Sequence, residues 1–315
     1  MYLTPHSTAL QCLLTAALLL YTGGVLSQVQ VPQGPLFRVQ GSAVALWCNA
    51  TGYPARGFEW SIHPAQSPRQ RLQIVSSVDP DFSYAIYRER LNVRREIYLE
   101  KVRKDSARLH LVHIQATDAG DYECYAPSLR HDYYGSHSAS VRLSVIPDLL
   151  QVSLLSPEEL TLHAESSVTL TCEVVSGTAQ HTHISITWYQ SRLEADRPIA
   201  TCSEQSVMSV AAAFQDRHWA SELRLEKVSA TRYQLSLSAL RGTDDGHYYC
   251  QATEWIQDPD RSWYPLSSKR SRGTAVHVHA ADVMSAVHSS TADGTHPKVF
   301  YILMLQLPLV AWAAY

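Results

Sequence analysis

Charge is scarce in this chain, and so are the arrangements from which enzymes and nucleic-acid binders are built. Asp, Glu, Lys and Arg together make up 17% of 315 residues, and the formal net charge is −3. That near-balance excludes a nucleic-acid binder that works through a large net positive charge. There is no Gly-x-Ser-x-Gly elbow, no phosphate loop and no His-Glu-x-x-His zinc-protease motif. The sequence therefore points away from an enzyme and implies no cofactor. No long amphipathic helix is written into it either. Asparagine occurs only at positions 49 and 92, and only the first opens a glycosylation sequon, Asn49-Ala50-Thr51. Hydrophobic residues still reach 45%, which fits packed cores, and the length allows about two domains.

The two ends read as processing signals rather than as fold. Residues 1–27 lack any charged side chain, carry apolar runs at Leu10–Leu14 and Ala16–Tyr21, and close with Gly23, Gly24 and Ser27. We expect a secretory signal peptide removed before Gln28, placing the remaining cysteines in an oxidising compartment. Residues 281–298 are small and polar and read as a stalk. Val299–Tyr315 is a seventeen-residue uncharged tail; as a helix it would span about 25 Å, short of the ~30 Å hydrocarbon core. Small residues at 289–292 and a polar spacer precede it, the pattern of a glycolipid-anchor signal with Ser290 as attachment site. A short transmembrane end is the alternative.

Between the ends lies a repeat. Cys48 and Cys124 are 76 residues apart, Cys172 and Cys250 are 78 apart, and each pair brackets a tryptophan, Trp60 or Trp188. Each closes with a tyrosine two residues before the second cysteine, Tyr122 and Tyr248, as in a tyrosine corner. The segments 43–48, 107–114, 166–172, 184–189 and 233–240 alternate apolar and polar residues, the pattern of half-buried strands. The fold class is all-β, and the chain resembles the immunoglobulin superfamily. The resemblance implies two tandem V-type β-sandwich domains, 28–147 and 148–280, with disulfides Cys48–Cys124 and Cys172–Cys250. It also implies that Arg90 pairs with Asp118 and Arg217 with Asp244.

Four residues after Cys250 stands Glu254-Trp255-Ile256. With its flanks, and with Gly34–Arg38, Cys48–Tyr53, Phe82–Ala85 and Gln180–His183, this is similar to the EWI-motif immunoglobulin glycoproteins, above all the branch of immunoglobulin superfamily member three. The resemblance implies a cell-surface recognition and adhesion glycoprotein, with membrane glycoproteins, tetraspanins or other immunoglobulin-domain proteins as partners and no nucleic acid. The alternative is a secreted soluble form that competes with longer relatives. In the hairpin after Cys250, Trp263 is the expected partner contact and Trp255 a packing residue. Its acids, Glu254, Asp258 and Asp260, are expected to pair locally with Lys269, Arg270 and Arg272. Cys202 is the odd cysteine, a free thiol or the link of a homodimer. His181-Thr182-His183 and His277-Val278-His279 each put two imidazoles on one strand face, too few for a metal site by spacing alone.

Overall fold

A computed structural model describes residues 28–129, 137–193 and 195–280. The expected signal peptide, stalk, tail and Ser290 lie outside the described residues. Strands, numbered in chain order, form two sandwiches. In the first, a sheet of β1 (Gln28–Gln30), β3 (Val44–Thr51), β7 (Ser106–Leu111) and β6 (Ile97–Arg103), in that order, faces a second sheet. The latter runs β2 (Leu36–Val39), β9 (Ser138–Ile146), β8 (Gly120–Tyr125), β4 (Glu59–Pro64), β5 (Leu72–Ser76). The second sandwich opposes β10 (Leu150–Leu154), β12 (Val168–Ser176), β17 (Arg232–Leu237) and β16 (Leu223–Lys227) to a seven-stranded sheet. That sheet runs β11 (Glu159–His163), β20 (Thr274–His279), β18 (Gly246–Gln257), β13 (Thr182–Arg192), β14 (Ala195–Cys202), β15 (Met208–Val210), with β19 (Trp263–Arg270) also on β18. In each sandwich one early strand pairs parallel with the last, β2 with β9 and β11 with β20. These are two tandem V-type immunoglobulin sandwiches.

Period-two patterning builds both cores. Along β3, Val44, Leu46, Cys48 and Ala50 point in, and along β12, Val168, Leu170, Cys172 and Val174 do. Cys48 is bonded to Cys124 and Cys172 to Cys250, with Cα separations of 6.4 and 6.3 Å. Trp60 and Trp188 are fully buried within those cores.

Two short helices were not foreseen from the pattern: α1 (Ala85–Asn92) and α2 (Gln215–Trp219). Each aims an arginine at the base of its sandwich. Arg90 donates to Asp118 at 2.6 Å, and Arg217 donates to Asp244. The same carboxylates cap a 3-10 turn by accepting the backbone N–H of Gln115 and of Arg241, both at 2.8 Å. Tyr122 and Tyr248 donate their hydroxyls to the carbonyls of Asp118 and Asp244, at 2.9 and 2.7 Å. Between the sandwiches, β9 ends at Ile146 and β10 starts at Leu150.

Candidate functional site

The hairpin of β18 and β19 is where the sequence placed recognition. Alternation puts Glu254 on the inward side of β18, in line with Cys250 and Ala252, and it is 1% exposed. A carboxylate stripped of water is costly unless its lone pairs are bonded. Ser176, Thr178 and Thr182 donate their hydroxyls to it at 2.5, 3.1 and 2.7 Å. Glu254 thereby ties β18 to the end of β12 and to the start of β13. Trp255 points the other way, half-buried, and its indole N–H donates to Ser185 at 2.7 Å. Ile256 turns inward again and enters an apolar cluster with Val39 and Leu266, against which Phe37, Ile146 and Tyr264 pack. Val39, Phe37 and Ile146 belong to the first sandwich, so the motif ends in a seam between the two.

The seam is polar as well as apolar. Arg38 of β2 donates two parallel hydrogen bonds to Asp258 just past β18, at 2.9 and 2.6 Å, with side chains only 6% and 10% exposed. Its guanidinium lies 3.6 Å from the Tyr264 ring centroid, and it donates to the Phe37 carbonyl at 2.7 Å. Tyr264 in turn donates its hydroxyl to the Ala43 carbonyl at 2.9 Å. The connecting segment is held too: Asp148 accepts from Ser267 at 2.9 Å and pairs with Lys269 at 3.1 Å. Although partial burial opposes it, these bonds hold the Asp148 carboxyl below its ordinary pKa. An apolar cluster, a bidentate buried ion pair and a bonded linker leave little freedom at this junction.

Two expectations change here. The hairpin's acids do not pair with its own bases. Glu254 binds hydroxyls and Asp258 binds Arg38, while Lys269 goes to Asp148, Arg270 to Asp196 and Arg272 to Glu158. The register sets Lys269 opposite Ala252 and Arg270 opposite Gln251, several residues along the ladder from Asp258 beyond the end of β18, so sequence proximity does not become contact. Second, of the two roles expected for Cys202 the structure has the free thiol, and its position argues against an exposed link of a homodimer. It is 0% exposed inside the second core, and burial pushes its thiol pKa up.

The remaining site residues are scattered. Trp263 is half-buried at the start of β19, its ring 4.8 Å from that of His183. Asn49 sits mid-strand in β3 on the outward face, between Gln30 and Ser106. Among the described residues no three His, Cys, Asp or Glu side chains converge as for a metal ion, and no helix is long and apolar enough to cross a membrane. The sequence reading gave Asp258 a different partner and did not foresee the Arg38–Asp258–Tyr264 contact or the hydroxyls of Ser176, Thr178 and Thr182 on Glu254.

Known proteins are similar to this chain in sequence. An immunoglobulin-like domain family described as IgSF3-like matches residues 148–295. Immunoglobulin superfamily member 3 of Xenopus tropicalis is 41% identical over 290 residues, covering 90% of this chain and 25% of the relative. Immunoglobulin superfamily member 8 of Mus musculus is 38% identical over 310 residues, covering 92% of this chain and 50% of the relative. The human prostaglandin F2 receptor negative regulator is 28% identical over 273 residues, 84% of this chain and 31% of the relative. The chain thus spans about a quarter of the length of the member 3 relatives and half that of mouse member 8. A crystal structure of Dpr2 Ig1-Ig2 in complex with DIP-Theta Ig1-Ig3 overlays at a TM-score of 0.36 and 17% identity, covering 81% of this chain and 95% of that one. The family model and the member 3 and member 8 relatives are immunoglobulin-like by name. The chain belongs to the immunoglobulin superfamily and, within it, to the EWI-motif family of members 2, 3 and 8 and the prostaglandin F2 receptor negative regulator.

Proposed function

We propose that this chain acts at the cell surface as a recognition and adhesion glycoprotein that binds other membrane proteins by direct protein contact. The observation that carries the reading is the seam. It commits the β18–β19 hairpin, the loop end most often free for binding in a V-type domain, to the first sandwich. Recognition then falls to the opposite end of the first sandwich. There Ala55 bridges Ser128, the Arg56 N–H donates to the Pro127 carbonyl at 2.8 Å, and the Leu129 N–H donates to the Pro54 carbonyl at 3.0 Å. Tyr53 and Tyr125 stand edge-on to His137 at 5.8 and 6.1 Å, and Leu129 is 59% exposed. Rigid aromatics beside an exposed aliphatic suit a protein-binding end. A glycan on Asn49 would cover the four-stranded sheet and leave the five-stranded one free.

Other immunoglobulin-domain proteins and tetraspanins are the partners this reading favours, and one relative is named for negative regulation of a receptor. Trp263 adds a second contact at the outer edge of the hairpin. Ser290 carries the glycolipid, and a soluble form is the alternative. Binding of the multimerised chain to cells tests the assignment. Leu129→Asp should abolish binding while leaving unfolding unchanged, and Trp263→Ala should weaken it. Full binding by Leu129→Asp would move the site elsewhere. Release from expressing cells by phosphatidylinositol-specific phospholipase separates the anchored from the soluble form.

A further inference from the structure

At the start of β13 the structure brings two imidazoles together. His181 and His183 are two residues apart on an extended segment, so their side chains share a face. Their Nε2 atoms are 3.2 Å apart, with the rings nearly perpendicular at 89°. His183 is oriented from two sides. Its Nδ1 lies 2.8 Å from the Glu204 carbonyl, and the Trp263 ring packs against it at 4.8 Å. A carbonyl only accepts, so Nδ1 carries the proton and Nε2 of the neutral ring presents a bare lone pair. An imidazole whose Nδ1–H is held by a carbonyl, leaving the Nε2 lone pair to an exchangeable partner, is the arrangement that orients metal-ligating histidines.

The spacing of the nitrogens fits an ion between them. Metal–nitrogen bonds of about 2.1 Å that subtend about 100° place the two atoms about 3.2 Å apart, between the tetrahedral and octahedral angles. We propose that His181 and His183 form a two-point site for a borderline transition-metal dication, zinc or copper(II). A donor set of imidazoles without carboxylates selects such ions over calcium or magnesium. Without metal, the neutral His181 donates Nε2–H to His183. With metal, His181 takes its other neutral tautomer, its proton moving to Nδ1 through solvent, and both lone pairs face the ion. No electron moves, and no net proton is gained or lost. Since no third ligand converges among the described residues, the other coordination positions are open to water or to a donor from a bound protein.

Titration of the full chain with Zn2+ by calorimetry, and with Cu2+ by tryptophan fluorescence, tests this. We expect one saturable equivalent for each metal and no heat with Ca2+. His181→Ala and His183→Gln should each weaken binding by at least about tenfold, the range set by loss of a metal-site group, with thermal unfolding unchanged. Trp263→Phe should keep the heat of Zn2+ binding and lose most of the Cu2+ quenching. Unaltered binding in the two histidine variants would place the metal elsewhere. Absence of a saturable equivalent in the parent would reduce the pair to a hydrogen bond.

Discussion

The two sandwiches are nearly the same machine at their bases and different at their hairpins. Both bury an arginine–aspartate pair, with side-chain exposures of 9% and 2% in the first and 10% and 4% in the second. Each aspartate also caps a turn and offers its carbonyl to the corner tyrosine. The indole N–H groups of Trp60 and Trp188 are both buried without a hydrogen-bond partner, so even the imperfections repeat. The hairpins diverge: β8 has 6 residues and β18 has 12. The extra length of β18 carries the EWI residues and reaches the first sandwich. The base of each sandwich serves folding, and the variable end serves whatever lies next to it.

If the bases are equivalent, damage to them should be equivalent. Arg90→Ala and Arg217→Ala each leave a buried carboxylate without its cation, which costs about 3–5 kcal/mol. In chemical denaturation the affected sandwich should unfold first, at lower denaturant, in either variant. A loss below about 1 kcal/mol in one of them would show that the two clamps are not interchangeable.

Alkaline unfolding probes the same equivalence with one phenol from each sandwich. Burial first, then the nearby Asp118 charge, pushes Tyr87 up to about 12. Burial and the bond to Asp196 push Tyr249 up to about 12 as well. A phenol raised in the folded state keeps its proton while the unfolded chain, near pKa 10, loses one. The stabilisation is therefore complete below about pH 10 and drains away as pH climbs toward about 12. For the buried Tyr87, a rise from near 10 to about 12 corresponds to roughly 3 kcal/mol. Tyr87→Phe should make this alkaline limb shallower for the first sandwich only, the buried Tyr122 phenol there still being held up, as read by tryptophan fluorescence and circular dichroism from pH 9 to 12.

The seam distinguishes the sandwiches most directly. Asp258→Ala leaves Arg38 beside Tyr264 without its bidentate partner. The guanidinium can regain water if the sandwiches part, so the cost should be about 1–3 kcal/mol. A single unfolding transition in the parent should split into two, and small-angle scattering should report a wider spread of shapes. Glu254→Gln should act within the second sandwich alone, by a similar amount, because its three hydroxyl partners all lie there. If Glu254→Gln separates the sandwiches and Asp258→Ala does not, the roles assigned along the hairpin are reversed.

What could be read in advance follows from distance along the chain. The cysteines, Trp60 and Trp188 and the corner tyrosines recur in the same order at similar spacings, so each copy vouches for the other, while the arginine–aspartate pairs came from the family resemblance. Nothing repeats for Asp258, whose partner Arg38 is 220 residues away. Glu254 draws hydroxyls from 72 to 78 residues upstream, and Ser and Thr are too common for such pairings to show in a sequence. Cys202 was visible as an odd cysteine, but the direction of its side chain depended on the register of β14 against β13 and β15. The short helices escaped because eight and five residues give too little periodicity to recognise.

That odd cysteine turns the comparison into a measurement. The second sandwich holds a buried free thiol, Cys202, and the cysteines of the first are both in a disulfide. A thiol reagent therefore reacts only when the second sandwich opens, and burial, by raising the thiol pKa, suppresses reaction further. In native buffer labelling should be slow, and it should speed up in Arg217→Ala but not in Arg90→Ala. The Asp258→Ala variant gives the finest discrimination. If the seam only orients the sandwiches, labelling stays at the parent rate; if it also stabilises the second one, labelling rises by up to about tenfold for each 1.4 kcal/mol lost. Cys202→Ala itself should cost little, about 1 kcal/mol, the loss of one small packed side chain. Rapid labelling of the folded parent would mean the sulfur is accessible, and would reopen the disulfide-linked homodimer that its burial argues against.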